Sequence, residues 1–401
     1  MKFLVIEQDL RVSGTSQGII SRSFLAKLRI TYPESIIDVV YLKQYASEDR
    51  LDLLPINSIL EKVLDLNIPF STLLLNKIYW RLFNISLKEK HIHKVYATEI
   101  AKIDYKRYDH IFIRSAGLEH EMLLASRDLP ILKHAIINFH EPFPFFWCAG
   151  STSYLTNLEL FRMKMMNQVV AQAKSCIATA FLARDMQYLY GSQKKFYALP
   201  HQYTEKVFDL SDTSQILKKN KKVTISYHGA IQFGRNIDIL LDSYEELVNS
   251  NQIYQEQSEF VVRIKGVNLE NLRIKYAKTP NILILDCLNF SNSSFEQIHE
   301  TDITIILENG PLYCNILVGK APFLAAYYKP VLSISPPKSE LRTIIKDEKY
   351  IADCNNKEEV KQKLEALIID RLNSKEPAYP FQDYFSDEKF KLMINKILFK
   401  D

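Results

Sequence analysis

The chain has 401 residues, 47 % of them hydrophobic and 24 % charged, with a formal net charge of +4 at pH 7. That length exceeds one ordinary domain and makes two the expectation, and the composition is that of a folded globular protein. So mild a charge leaves no electrostatic footprint for nucleic acid, and none is expected as a partner. The chain opens on a strand, Lys2 to Glu7, with no basic leader ahead of it. A small-residue turn from Ser13 to Gly18 then leads into a helix. Strands follow at Ser35 to Leu42, His110 to Arg114, His134 to Phe139, Ser175 to Thr179 and Lys195 to Leu199. Helices fill the gaps, the clearest from about Tyr154 to Ala173. The alternation of short apolar runs with longer amphipathic ones is the pattern of βα repeats on a parallel sheet.

Residues 51 to 108 break that rhythm. Leu73, Leu74, Leu75, Ile78, Trp80, Leu82 and Phe83 stand among Lys77, Arg81, Lys88 and Lys90, and the segment is expected to be a helical insert. From Asn76 to Tyr108 eight lysines and arginines stand against three acids. Two readings fit: a helix packed on its domain with a solvated basic face, or a patch for a membrane surface or an anionic acceptor. His91 and His93 belong to that polar surface. The aromatic run Pro142, Phe143, Pro144, Phe145, Phe146, Trp147 reads as packing at the domain edge.

The lysine-rich stretch from Lys218 to Lys222 marks a solvated connection, after which the rhythm restarts. Strands are expected at Val223 to His228, Phe260 to Lys265, Asn281 to Asp286, Asp302 to Leu307, Pro330 to Ile334 and Tyr350 to Ala352. A last helix runs from about Asp387 to Phe399, after the turn Pro377 to Pro380. The expected organisation is therefore residues 1–203 plus 376–401 as one doubly wound domain, carrying the insert, and 204–375 as a second. Two such domains would face each other across a cleft at the carboxyl ends of their strands, where open α/β sheets bind ligands.

Several chemistries can be set aside. The five cysteines, Cys148, Cys176, Cys287, Cys314 and Cys354, include no C-x-x-C pair, so the usual zinc and redox patterns are absent and a reducing cytosol is the expected compartment. No run of about 18 apolar residues suggests a spanning helix. Neither G-x-G-x-x-G after the first strand nor G-x-x-x-x-G-K-[ST] occurs, and H-E-x-x-H and D-x-D are missing. No metal and no resident cofactor are expected.

Two stretches could carry chemistry. At the start of the second domain, His228-Gly229-Ala230-Ile231-Gln232-Phe233-Gly234-Arg235-Asn236 ends a strand, turns, and places Arg235 where a helix begins. Helix N-terminal amides and a guanidinium converging on one point suit an anion, although an exposed arginine at a helix start reads the same way. After the strand Asp302 to Leu307 come Glu308-Asn309-Gly310 and then Asn315, with Lys320 in an apolar run that continues to Pro330-Val331. Lys320 is either a second cation at the cleft or a solvated helix lysine.

The first stretch resembles the glycosyltransferase family 4 signature G-R-x-x-x-x-K-N-[IL]. Gly229 and Asn236 match it, Arg235 takes the lysine place, and Ala230 replaces the first arginine. The second resembles the donor motif P-x-K-x-x-E-Y-x-A-x-G-x-P-V, with Lys320, Ala325, Pro330 and Val331 in register, Phe323 in place of the glutamate and Tyr328 in place of the glycine. Other pieces agree in order. The turn Ser13 to Gly18, His140 in Asn-Phe-His-Glu-Pro, Leu199-Pro200-His201 with Val207-Phe208, and Ser339-Glu340-Leu341 all fall where the family has counterparts.

The resemblance implies the GT-B fold and a nucleotide-sugar donor on the second domain, its diphosphate near Arg235 and Lys320. Gly229, Asn236, Glu308 and Asn315 would contribute to that donor site, and the two cations would stand in for a metal ion. His140 would hold a hydroxyl of the transferred sugar, and Gly14 and Gly18 would let backbone amides approach donor and acceptor. The implied activity is a retaining, metal-independent hexosyl transfer to a glycan or lipid-linked acceptor in surface-polysaccharide biosynthesis. The protein would be cytoplasmic, at the inner face of the membrane, with the first domain on the acceptor side. Ala230 and Phe323 leave a second reading open: a silent protein of the same fold that binds a nucleotide sugar or a partner enzyme. A nucleotide-sugar epimerase would need acid and base carboxylates, for which Glu308 and Glu340 are too little.

Overall fold

A computed structural model describes residues 1–47, 49–145, 150–151, 154–191, 194–266 and 269–399. The chain divides into two compact units, one of residues 1–147, 152–207 and 386–401, the other of residues 148–151 and 208–385. Phe146 and Trp147 of the aromatic run, and Cys148, lie outside the described residues.

In the first unit the strands are β1 (Lys2–Glu7), β2 (Ile36–Lys43), β3 (Ser58–Val63), β4 (His110–Arg114), β5 (Ala135–Asn138), β6 (Ser175–Ala178) and β7 (Phe196–Ala198). The helices are α1 (Ser16–Thr31), α2 (Phe70–Phe83), α3 (Leu87–Ile100), α4 (Glu121–Ala125), α5 (Asn157–Gln172) and α6 (Ala180–Tyr190). Among the described residues the seven strands form one parallel sheet in the order β3-β2-β1-β4-β5-β6-β7. Val5 sits between Val39 and Phe112 in that register. Phe3, Leu4, Val5 and Ile6 are all buried, as expected of a central strand covered on both faces. Strand order reverses between β1 and β4, which opens a crevice at their carboxyl ends.

The insert departs from the helical expectation in one respect. Its first part is the edge strand β3, paired with β2 from Asp38↔Ser58 to Lys43↔Val63, and only then do α2 and α3 follow. At the far end of the chain, residues 387–399 form a helix on α1. There Phe390 meets Phe24 edge-on at 6.1 Å, Lys27 pairs with Asp387, and Tyr32 donates to Asn395. The fully buried Arg22 of α1 donates to the carbonyls of Leu10, Asp49, Arg50 and Val207, fixing the loops at the carboxyl edge of the sheet.

The second unit repeats the plan. Its strands are β8 (Val223–Ala230), β9 (Ser258–Lys265), β10 (Ile282–Asp286), β11 (Ile303–Leu307), β12 (Tyr313–Cys314), β13 (Val331–Ser335), β14 (Lys338–Ser339) and β15 (Ile351–Asp353). Its helices are α7 (Asp238–Ser250), α8 (Gln252–Gln257), α9 (Leu269–Lys275), α10 (Phe290–Phe295), α11 (Lys320–Ala326), α12 (Glu340–Ile344) and α13 (Lys357–Asn373). Among the described residues six strands pair in parallel in the order β10-β9-β8-β11-β13-β15, and β12 pairs with β14. The switch point is β8/β11, so the loops after these strands are the place for a ligand. Among the described residues no helix is long and apolar enough to cross a membrane.

Candidate functional site

In the second unit the residues singled out from sequence converge at the end of β8. Lys320, the first residue of α11, reaches back so that a Cβ on Gly229 would lie 3.1 Å from its Nζ, and the ammonium sits 4.7 Å from the centre of the Tyr227 ring. Any side chain at 229 would therefore press on the lysine. The Tyr227 hydroxyl donates to the Ala230 carbonyl at 2.8 Å, and Arg235 donates to the same carbonyl through Nη1 at 2.9 Å. Arg235 Nε donates to Oδ1 of the buried Asn309 at 3.0 Å. Two cations, a tyrosine ring and an asparagine thus close one corner of the switch point.

The Lys320 side chain is half-buried at this corner. Burial, with the like charge of Arg235 added, lowers its ammonium from 10.5 to about 7. Among the described residues no oxygen accepts a hydrogen bond from it. Cations withdrawn from water are ordinarily paired, so an anion would suit this corner.

The other donor-site candidates of this unit divide. Asn236 accepts a hydrogen bond from the Ile239 amide at 3.2 Å, a cap on the first turn of α7. Asn315 is fully buried between β12 and α11. Glu308, one residue past β11, is buried with Ser335 and Ser339 beside it, and neither carboxylate oxygen makes a hydrogen bond among the described residues. Burial raises it to about 7. Phe323 is buried against Phe290 and Tyr327, ring centres 6.3 and 5.3 Å away, so an aromatic cluster occupies the place of the motif glutamate.

In the first unit His140 follows β5 and lines a small pocket with Arg114, Asn138, Thr179, His201 and Gln202. Its ring stacks on that of His201 at 5.8 Å. Both ring nitrogens of His140 are buried with no partner among the described residues, as are Thr179 Oγ1 and Gln202 Oε1. Burial, aided by nearby Arg114, holds the imidazole well below its ordinary pKa, so it is neutral. Arg114 is itself held by Glu7 at 2.6 Å, by Asn138 Oδ1 at 3.2 Å and over the Phe24 ring at 4.1 Å. The pocket thus offers a neutral imidazole and two unsatisfied oxygens to a hydroxyl-bearing ligand.

The glycines of the first loop have different reasons. Gly14 adopts φ +79° with open space around it, a conformation that favours glycine. Gly18 lies inside α1, where a Cβ would come within 2.3 Å of the Arg11 carbonyl oxygen. That close approach is between α1 and the chain's own loop at Arg11. At the carboxyl ends of β1, β2 and β4 lies a polar hollow of about 340 Å³, whose lining includes Gln8, Arg11, Gln44, Tyr45, Glu119 and Glu121.

Sequence reasoning did not find Arg114, Thr179, Gln202, Tyr227 or Asn309. Arg114, Thr179, Gln202 and Asn309 sit at or beyond the carboxyl end of a strand, and that position was the signal available; Tyr227, inside β8, offered none. Among the described residues no cluster of three His, Cys, Asp or Glu could hold a metal ion.

No protein-family profile matches the sequence, and no curated protein matches it. Solved structures do. Sucrose-phosphate synthase from Thermosynechococcus elongatus aligns over 99 % of this chain and 98 % of its own, at 11 % identity and a TM-score of 0.64. The lipopolysaccharide outer core galactosyltransferase WaaB, in its apo form, aligns over 100 % and 99 % at 12 % identity and 0.60. A UDP-GlcNAc 2-epimerase from Neisseria meningitidis bound to UDP-GlcNAc aligns over 100 % of both chains at 10 % identity and 0.55. At these identities the likeness is one of fold. The chain is an α/β protein with parallel sheets in two Rossmann-like domains, and it matches GT-B glycosyltransferase structures.

Proposed function

We propose that this chain is a glycosyltransferase that takes a sugar from a nucleotide-sugar donor, with the donor diphosphate bound by Lys320 and Arg235. The observation that carries the reading is the half-buried Lys320 ammonium, set over Gly229 and the Tyr227 ring without an oxygen partner and pushed down to about 7 by desolvation and a second cation. A diphosphate is the anion such a corner fits: it offers several oxygens to two cations, and its departure is stabilised where its charge develops. The two side chains then do the work a divalent metal does elsewhere. In the first unit, His140, Thr179 and Gln202 take hydroxyls of the sugar, His140 as a neutral hydrogen-bonding group and not as the base. The polar hollow lined by Gln44 and Glu121 takes a glycan or lipid-linked acceptor, and the protein makes a peripheral contact with the inner face of the membrane. Retention at the anomeric carbon and a place in surface-polysaccharide biosynthesis follow from the resemblance to family 4.

The silent alternative has one observation in its favour, the aromatic cluster of Phe323, Phe290 and Tyr327 where the motif has a carboxylate. An epimerase reading has less support. Its strand-end carboxylates would be Glu308 and Glu340, both buried, with Glu340 already accepting from Tyr384 at 3.1 Å.

The test is thermal stabilisation by UDP, GDP, ADP and CMP, followed by slow donor hydrolysis without acceptor. A nucleotide at about 100 times its Kd adds roughly 2.7 kcal/mol of stability. One nucleotide should raise the melting temperature of the wild type and not that of Arg235→Ala or Lys320→Ala. His140→Ala should keep the shift and lose roughly 100-fold in turnover. A nucleotide shift without hydrolysis would favour the silent reading, and no shift with any nucleotide would remove the donor site.

A further inference from the structure

α2 is unusual in a water-facing protein. Of its fourteen residues none is buried, and Phe70, Leu74, Leu75, Ile78, Leu82 and Phe83 are between 49 % and 74 % exposed. Its more covered positions are polar ones, Thr72 and Asn76, and Asn76 Oδ1 accepts from the Lys88 amide at the start of α3. The helix therefore rests on α3 by its polar side and turns its apolar side to the surroundings, the reverse of an ordinary surface helix. So large an apolar patch marks an interaction surface.

Charge says what covers it. α2 carries Lys77 and Arg81 and no acid. Spacing by three and four residues places both on the stripe of Leu74 and Ile78. Exposed Lys88, Lys90 and Lys94 follow on α3, and none of these five cations makes an ion pair among the described residues. The neighbouring acids are already engaged, Glu89 by Arg162, Glu61 by Lys43 and Glu99 by Lys62 and Lys102. A second copy of the chain, packed on the same face about a two-fold axis, would set Lys77 and Arg81 against their own counterparts. An anionic bilayer suits all three features. Acyl chains take the leucine, isoleucine and phenylalanine side chains, headgroups take the cations at the ends of flexible stems, and Trp80 suits the boundary between them. At about 21 Å long, α2 is too short to span and would lie in the plane of the interface.

We propose that α2 is a membrane-insertion helix selective for anionic lipid, docking the first unit on the bilayer. This deepens the membrane contact of the proposed function and rests on it. The test uses the full chain carrying Trp147→Phe, so that Trp80 is the one remaining tryptophan of two, with vesicles of phosphatidylcholine alone or mixed with phosphatidylglycerol. Sedimentation with the mixed vesicles should be salt-sensitive, and Trp80 emission should shift to the blue. Leu74→Glu with Ile78→Glu should weaken partitioning at least tenfold, at unchanged melting temperature because both sites are exposed. Lys77→Glu with Arg81→Glu should lose about tenfold on mixed vesicles and little on neutral ones. Vesicle binding that ignores the Leu74 and Ile78 changes would overturn the assignment to α2 and leave the membrane contact standing. No binding to either vesicle would overturn both, while the nucleotide shift tests the transferase reading separately. A dimer in solution that dissociates on Leu74→Glu would give the face to a second copy and also overturn the proposal.

Discussion

Lys320→Met keeps most of the side chain's length and removes its charge, so it isolates what the buried ammonium costs. In the unfolded chain the group titrates at the ordinary 10.5, and in the fold at about 7. Between those values the unfolded state binds more protons, so this group makes stability rise with pH across the window, with its full cost present below pH 7. Linkage puts that cost at about 4 kcal/mol at pH 7 and about 1.5 kcal/mol at pH 9.5. The methionine variant should therefore melt several degrees above the wild type at pH 7, with the margin reduced by roughly two-thirds at pH 9.5.

The measurement is thermal and urea denaturation of both proteins at the two pH values, each with and without the stabilising nucleotide. The variant should be more stable alone and unresponsive to nucleotide. Binding should also raise the Lys320 pKa, so calorimetry of the wild type in buffers of different ionisation heat should record uptake of about half a proton at pH 7. A variant that melts at or below the wild type at pH 7, or a margin equal at both pH values, would mean that the ammonium is already satisfied in the free protein. Lys320 would then be no part of an anion site.

Glu308 offers the complementary case. Its carboxyl is raised from 4.5 to about 7, so the folded state binds more protons in that interval and stability from this group falls as pH rises through it. Glu308→Gln should stabilise by about 3 kcal/mol at pH 8.5 and about 1.5 kcal/mol at pH 5.5; urea midpoints without that pH trend would refute the burial argument. The two glycines should separate by what their Cβ would strike. Gly18→Ala meets backbone, the Arg11 carbonyl oxygen at 2.3 Å, and should cost at least roughly 1–3 kcal/mol. Gly229→Ala places its Cβ 3.1 Å from Lys320 Nζ and 3.2 Å from the Tyr227 hydroxyl at φ +158°, so it should cost about 1–3 kcal/mol through backbone strain and lose roughly tenfold in nucleotide affinity, about 1.4 kcal/mol. Unchanged nucleotide affinity in Gly229→Ala would count against placing Lys320 over Gly229.

The sheets were legible because their central strands are buried on both faces and so appear as unbroken apolar runs, as in Phe3-Leu4-Val5-Ile6. β3 was not, for the same physical reason reversed. Ser58–Val63 lies at the sheet edge with five of its six residues exposed, so its Ile-Leu-Glu-Lys-Val pattern carries no strand period and looked like the start of a helix. At the site, the loop positions of Arg235 and Lys320 could be read from the chain, but their partners could not. Tyr227 lies in the middle of an apolar strand, and Asn309 is more than seventy residues from the guanidinium it receives. Arg114, a charged residue at a strand end, has the local pattern of a surface arginine, and only the parallel register of β1 with β4 sets it against Glu7.

The pairing of Arg114 with Glu7 also opens an internal comparison for the corner at Lys320. Other buried or half-buried cations of this protein have oxygen partners. Arg114 has Glu7 at 2.6 Å, Arg263 has Glu296 at 2.7 Å, Lys43 has Asp49 at 3.2 Å, and Lys329 has the Thr301 carbonyl at 2.9 Å. Arg22 spreads hydrogen bonds over four carbonyls. Lys320 instead faces a tyrosine ring and a second cation, beside a glycine whose missing Cβ leaves room at the ammonium. A sequence that gives these other cations oxygen partners and leaves Lys320 without one accepts a loss of stability there, which is expected where a ligand completes the balance.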